Sequence, residues 1–78
     1  MYVYLLKSLS FPNKNYVGLT KNLRERFHEH QLGKTFYTER YRPWKIVLAV
    51  WFQNPEKAVR FEKYLKTGSG RAFREHHF

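Results

Sequence analysis

An arginine and a histidine four residues apart, close behind a strand that carries a tyrosine, place a fixed cation and a titratable ring side by side. In this chain they are Arg26, His30 and Tyr16, within the stretch from Tyr16 to His30. The i, i+4 spacing puts Arg26 and His30 on one side of a helix. Such a pair can hold negative charge and move a proton. Counting 100° per residue from Leu23, the apolar stripe of Leu23 and Phe27 centres near about 20°, with Arg26 at about 300° and His30 at about 340°. Arg24 and His28, at about 100° and 140°, fall farther towards solvent, and Glu25 and Glu29 opposite the stripe. Elsewhere, Ala58, Phe61 and Leu65 form the stripe of a second helix, and Glu62 lies at about 40°, on its apolar edge. A carboxylate there either pairs with Lys66 at i+4 on the surface or turns inward, where an arginine or a divalent cation must compensate it.

The elements that position these groups follow from local pattern. Tyr2 to Lys7 reads as an inner strand, apolar on both faces, with Tyr2, Tyr4 and Leu6 on one and Val3 and Leu5 on the other. Phe11-Pro12-Asn13-Lys14 supplies a turn, and Asn15 to Gly18 returns antiparallel, which brings Tyr4 and Tyr16 near one another. Thr20 or Asn22 caps the first helix and Gly33 stops it. Lys34 to Pro43 reads as a loop of interleaved cations and rings, with Lys34, Tyr37, Arg40 and Arg42 as nucleic-acid contacts and Phe36 and Tyr37 divided between base contact and core. Trp44 to Phe52 predicts a third strand buried on both faces. Asn54-Pro55 opens the second helix. Thr67-Gly68-Ser69-Gly70 is expected to end it, and Arg71 to Phe78 to form a short basic terminal helix.

Composition narrows the partners. With 78 residues the chain fits a single domain, 1–78, with one modest core. Fifteen Lys and Arg against six acids give a net charge of +9, and aromatic residues reach 19%, a combination that favours nucleic acid. The absence of cysteine rules out thiolate metal sites and suits a cytoplasmic location. All six acids are glutamates, which leaves no aspartate for a Ser-His-Asp triad or a carboxylate-rich two-metal cluster. The longest apolar run, Ile46 to Phe52, is too short for a membrane span.

Taken in order, Tyr2-Val3-Tyr4, Tyr16-Val17-Gly18, Asn22-Leu23, Arg26, His30 and Glu62 resemble the GIY-YIG nuclease superfamily over nearly the whole chain. Tyr37-Thr38, Pro43-Trp44 and the segment from Glu62 to Phe73 resemble the small bacterial members related to the catalytic domain of the excision-repair endonuclease subunit. The resemblance implies an α+β domain with a three-stranded antiparallel sheet flanked by helices, in the order β-β-α-β-α with a further terminal helix. It also implies phosphodiester hydrolysis with one divalent cation, magnesium or manganese, on Glu62. By position it gives Tyr4, Tyr16, Arg26 and His30 the catalytic roles, with Tyr16 ahead of Tyr4 as general base, made more acidic by the nearby metal and arginine, and His30 orienting or relaying the proton. Arg24, Lys66 and Arg71 join the basic loop as nucleic-acid contacts.

This sequence departs from the family pattern where Tyr2 replaces a glycine and Leu19 stands where some relatives carry lysine. Ser69 or Arg71 occupies the region of an asparagine found in some members. The expected function is a DNA endonuclease, guided by substrate structure because so small a domain has little surface for sequence readout. It would act as a monomer that nicks one strand or a homodimer that cuts both. The alternative is a nucleic-acid-binding module whose nuclease site is idle or awaits a partner.

Overall fold

The computed structural model describes residues 1–78, and its elements run β1 (Tyr2–Ser8), β2 (Asn15–Thr20), α1 (Leu23–Leu32), α2 (Phe36–Arg40), β3 (Trp44–Trp51), α3 (Pro55–Leu65) and α4 (Gly68–His77). The strands form one antiparallel sheet in the order β2-β1-β3. β1 is the inner strand, as its two apolar faces predict. Each face has its own core. Val3 and Leu5, with Val17 of β2, pack against Ala58 and Leu65 of α3 and are joined by Phe61 and Phe73. Tyr4 and Leu6 pack with Trp44 against Leu23 and Phe27 of α1, together with Tyr16 and Tyr41. The period-2 alternation of β1 thus sends its odd residues to α3 and α4 and its even ones to α1.

Caps define the helices. Asn22, not Thr20, caps α1: its side chain accepts from the Glu25 N–H at 3.1 Å while Thr20 continues β2 two residues beyond Gly18. Gly33 closes α1 with φ of 74°, as expected of a C-terminal glycine. Asn54 caps α3 with Pro55 in its first turn.

Three expectations are corrected. The segment read as a loop from Lys34 to Pro43 contains α2, because Thr35 and Thr38 form a reciprocal capping box that nucleates one short helical turn. β3 is not buried on both faces: it is an edge strand, and Ile46 and Trp51 are exposed. Its start is nevertheless firmly held. Buried Trp44 donates from its indole to the Thr38 carbonyl at 3.0 Å, and the Gln31 side chain of α1 bonds both its N–H (2.6 Å) and its carbonyl (2.9 Å). Finally, Thr67 does not merely end α3 but caps α4, so the terminal helix begins at Gly68 instead of Arg71. No helix is long and apolar enough to cross a membrane.

The crossing of α3 and α4 depends on Gly70, where a β-carbon would collide with the backbone of Tyr64 and Leu65. Gly68, two residues earlier, faces open space. Gly70→Ala should therefore lower unfolding stability by about 1–3 kcal/mol through overpacking, whereas Gly68→Ala should raise it by about 0.4–1 kcal/mol by restricting the unfolded chain. Urea denaturation of both variants checks the contrast in sign.

Candidate active site

The predicted residues from β1, β2 and α1 converge. The Tyr4 hydroxyl and His30 Nε2 share a hydrogen bond of 2.8 Å, and both side chains are buried, at 1% and 2% exposure. Tyr16 lies against them, its ring centroid 4.5 Å from that of His30 and 6.2 Å from that of Tyr4. His30 is thus the one fully buried residue of α1, beyond what its position near the stripe edge required. Gly18 makes room for this packing: paired opposite Tyr4 across the β1–β2 ladder, it lies under the phenol, and a β-carbon there would stand inside 3.0 Å of Oη, Cζ and Cε1.

Arg26 is half-buried and makes an ion pair with Glu29, Nη1 to Oε2 at 3.2 Å. This corrects the placement of Glu29 among fully solvated groups; about 60° of helix separates it from Arg26, close enough for an i, i+3 pair. The charged guanidinium is reinforced first by the Tyr4 hydroxyl and also by Tyr16, against the opposing effect of burial. Burial is also the main force on the two hydrogen-bonded groups. It pushes the Tyr4 phenol above the ordinary tyrosine range, although Arg26 acts the other way. It holds the His30 imidazole below the ordinary histidine range, with the Arg26 charge adding to the effect. At Tyr4, burial thus opposes the acidification that Arg26 favours.

Glu62 turns inward, with 8% of its surface exposed, and makes an ion pair with Lys66, itself 58% exposed by its side chain. The surface pairing and the inward carboxylate, posed as alternatives from the sequence, are both realised. Next to the pair, an open depression of about 330 Å³ is lined by Asn15, Tyr16, Val17, Tyr37, Lys66 and Arg74. It joins β2 to α2 on one side and to α3 and α4 on the other. Tyr16 is therefore the residue common to the buried Tyr4–His30 cluster and to the open depression.

The remaining predicted contacts are distributed differently. Tyr37 donates from its hydroxyl to the Asn15 carbonyl at 2.8 Å and stacks near Trp44, so its ring leans on the fold while Phe36 points outward at 79% exposure. Arg42 donates to the Leu32 carbonyl at 3.0 Å and serves the end of α1. Arg24, Lys34, Arg40 and Arg71 are exposed. Sequence reasoning missed Arg74, which is half-buried, donates from Nε to the Leu65 carbonyl at 3.1 Å and lines the depression. Recognition of Thr67 as a cap would have set the phase of α4 and placed Arg74 beside the inward Phe73.

A small antiparallel sheet with tyrosines on two adjacent strands, an arginine and histidine on α1 and an inward glutamate on α3 defines a nuclease-type catalytic domain. The chain belongs to the GIY-YIG family, whose catalytic-domain description matches residues 1–75. Among its relatives are two proteins named structure-specific endonuclease subunit SLX1. The one from Malassezia globosa is 40% identical over 63 residues, covering 76% of this chain, and the one from Debaryomyces hansenii is 32% identical over 71 residues, covering 82%. The chain spans 14% and 20% of the lengths of those two relatives.

The shifts at Tyr4 and His30 both favour neutral forms and so link the cluster to stability. For His30 the lowered folded pKa means a contribution fully present above the ordinary value of 6.5 and lost as pH falls through the folded value. For Tyr4 the raised folded pKa means a contribution fully present below 10.0 and lost as pH rises through the folded value. Thermal melts should show a steeper loss of stability below pH 6.5 in the wild type than in His30→Gln. Parallel acid limbs in the two proteins would refute the assignment. Gly18→Ala, which drives a methyl group into the Tyr4 ring, should cost about 1–3 kcal/mol in stability; calorimetry reads this directly.

Proposed function

We propose that this domain is a divalent-cation-dependent endonuclease that hydrolyses phosphodiester bonds in DNA. The observation that carries this reading is the placement of Tyr16 between the buried Tyr4–His30 cluster beside Arg26 and an open, cation-rimmed depression flanked by the Glu62–Lys66 pair. The residues fit a hard cation of the magnesium type. No three His, Asp or Glu side chains cluster as an all-protein cage, and a single inward carboxylate suits an ion that keeps several waters and binds beside phosphate. Glu62 would hold it, and the bound cation would neutralise charge on the phosphate and the leaving oxygen.

The protein's own groups supply the rest. Arg26, held by Glu29 and close to both tyrosines, offers a cation to the charge that gathers on the phosphate oxygens during in-line attack by water. Tyr16 takes the proton from that water. Its advantage over Tyr4 is access: Tyr16 lines the open depression, whereas the Tyr4 hydroxyl is buried, committed to His30 and pushed towards its neutral form. Tyr4 and His30 then act as positioning residues that hold the Tyr16 ring. Lys66, Arg71 and Arg74 from the α3–α4 side, with Lys34 and Arg40 around α2, are the proposed phosphate contacts.

Both relatives are named as a structure-specific endonuclease subunit, which favours DNA junctions or branches as substrate and leaves room for a partner subunit. A monomer would nick; a homodimer would cut both strands.

Purified protein incubated with plasmid and branched DNA plus magnesium or manganese should cleave, and Glu62→Gln, Arg26→Ala and Tyr16→Phe should each lower the single-turnover rate by about a hundredfold or more. Tyr4→Phe should lose less than Tyr16→Phe. Cleavage that survives Glu62→Gln and Arg26→Ala would point to a contaminating nuclease and defeat the proposal. Salt-sensitive binding without any nicking would favour an idle or partner-dependent module instead.

A further inference from the structure

Helix α2 presents two pairs of residues at i, i+4 spacing, and they face different surroundings. Tyr37, still partly exposed, and Tyr41 at the C-cap lean against the fold, with ring centroids 4.9 Å apart. Tyr41 continues to Phe11 at 5.3 Å, and Tyr37 to Tyr16 at 6.3 Å. A chain of rings therefore runs from Phe11, in the β1–β2 loop, to the tyrosine that faces the open depression. Lys14 Nζ and the Arg40 guanidinium carbon each lie 5.5 Å from the centre of the Tyr41 ring, so cations flank this chain near its middle.

Phe36 and Arg40 form the outward pair. At 79% exposure Phe36 is the most exposed of the large apolar side chains, and it belongs to neither core cluster. The fold gives it no structural task. Glu39, the one carboxylate of α2, has its α- and β-carbons against Gly33 at the end of α1, on the side of α2 away from the ring chain. The outer face therefore combines a bare ring with an exposed cation, Arg40, that rests over the Tyr41 ring and has no carboxylate partner, in a chain of net charge +9, a match for a polyanion that also offers flat apolar surface. Duplex DNA does not offer that surface, since its base faces are occupied by their neighbours. A strand with unpaired bases does.

We propose that Phe36 and Arg40, with Lys14 and the exposed ring of Phe11, form a binding site for an unpaired stretch of DNA strand. Phe36 stacks on a base, Arg40 and Lys14 meet the flanking phosphates, and the ring chain leads the strand towards Tyr16. This deepens the nuclease reading by naming the substrate feature recognised; only the direction of travel towards Tyr16 rests on that reading.

The test is equilibrium binding by fluorescence anisotropy in EDTA, with the full chain and three probes: a single-stranded oligonucleotide, a duplex bearing a single-stranded arm, and a blunt duplex. Phe36→Ala should weaken the first two by about tenfold and leave the blunt duplex unchanged, while Phe36→Trp restores affinity. Arg40→Ala and Lys14→Ala should each reduce the salt dependence on the single strand by about one phosphate contact. Equal losses on all three probes, or none on any, would overturn the site. So would unchanged DNA binding accompanied by an altered sedimentation coefficient in Phe36→Ala, which would mark the ring as a protein interface. Because binding is read without metal, wild-type protein that shows this selectivity but never cleaves would defeat the nuclease reading alone.

Discussion

The buried hydrogen bond between Tyr4 and His30 is the contact on which the arrangement of the candidate site depends. It ties the inner strand to the first helix at 2.8 Å, in surroundings that favour the neutral form of both partners. Neither group could be buried alone at low cost, since an unpartnered phenol or imidazole loses its hydration without replacement. Together they satisfy one another and fix the rotation of α1 over the sheet. That rotation sets the position of Arg26 one turn earlier and of the Tyr16 ring packed on His30. Gly18 is the sequence condition for the arrangement, because any side chain at that point of β2 would occupy the space of the Tyr4 ring.

A second constraint is charge. Each acid at the site already has a cationic partner: Glu29 holds Arg26 and Glu62 holds Lys66. For Glu62 the partner is needed, since a lone inward carboxylate would carry a desolvation penalty of several kcal/mol. Lys66 supplies the compensation from a largely exposed position, so its ammonium can swing away without leaving a buried charge of its own. The Glu62 carboxylate is thereby compensated from within the protein itself. The cations that line the depression are Lys66 and Arg74, the second anchored through its Nε to the Leu65 carbonyl.

The sequence made the centre of the domain legible and its periphery less so. β1 and the hairpin to β2 follow from simple periodicities, and helix phase placed His30 near the buried edge of α1 and Glu62 on the apolar edge of α3, while leaving open whether Glu62 paired at the surface or turned inward. The resemblance to GIY-YIG proteins supplied the roles that periodicity could not. The errors fall where local chemistry overrode pattern. α2 is one turn long and exists through a Thr35–Thr38 capping box, too short to show any helical period. Thr67 was hidden by the two glycines behind it, which read as a break although both adopt helical backbone and one is needed for the close approach of α3 and α4. β3 is apolar in composition yet lies at the sheet edge; position in a sheet depends on partners distant in sequence, which no window of residues contains.

The same geometry bears on what a domain of this size offers to a nucleic acid. Reading a base sequence requires an element that enters a groove, and an α-helix in the major groove needs a long exposed face. α1 spends its inward face on His30 and its C-terminal end on Arg42, while α2 has only five residues. What the surface does offer is cations at several heights and rings at one edge, features that respond to backbone shape and to unstacked bases. Contacts of that kind also relax the demand on size, since they need only the rigid placement of a few side chains. A three-stranded sheet with two small cores can supply that much rigidity, because its inner strand carries Tyr4 at the point where both edge strands and α1 hold it in place.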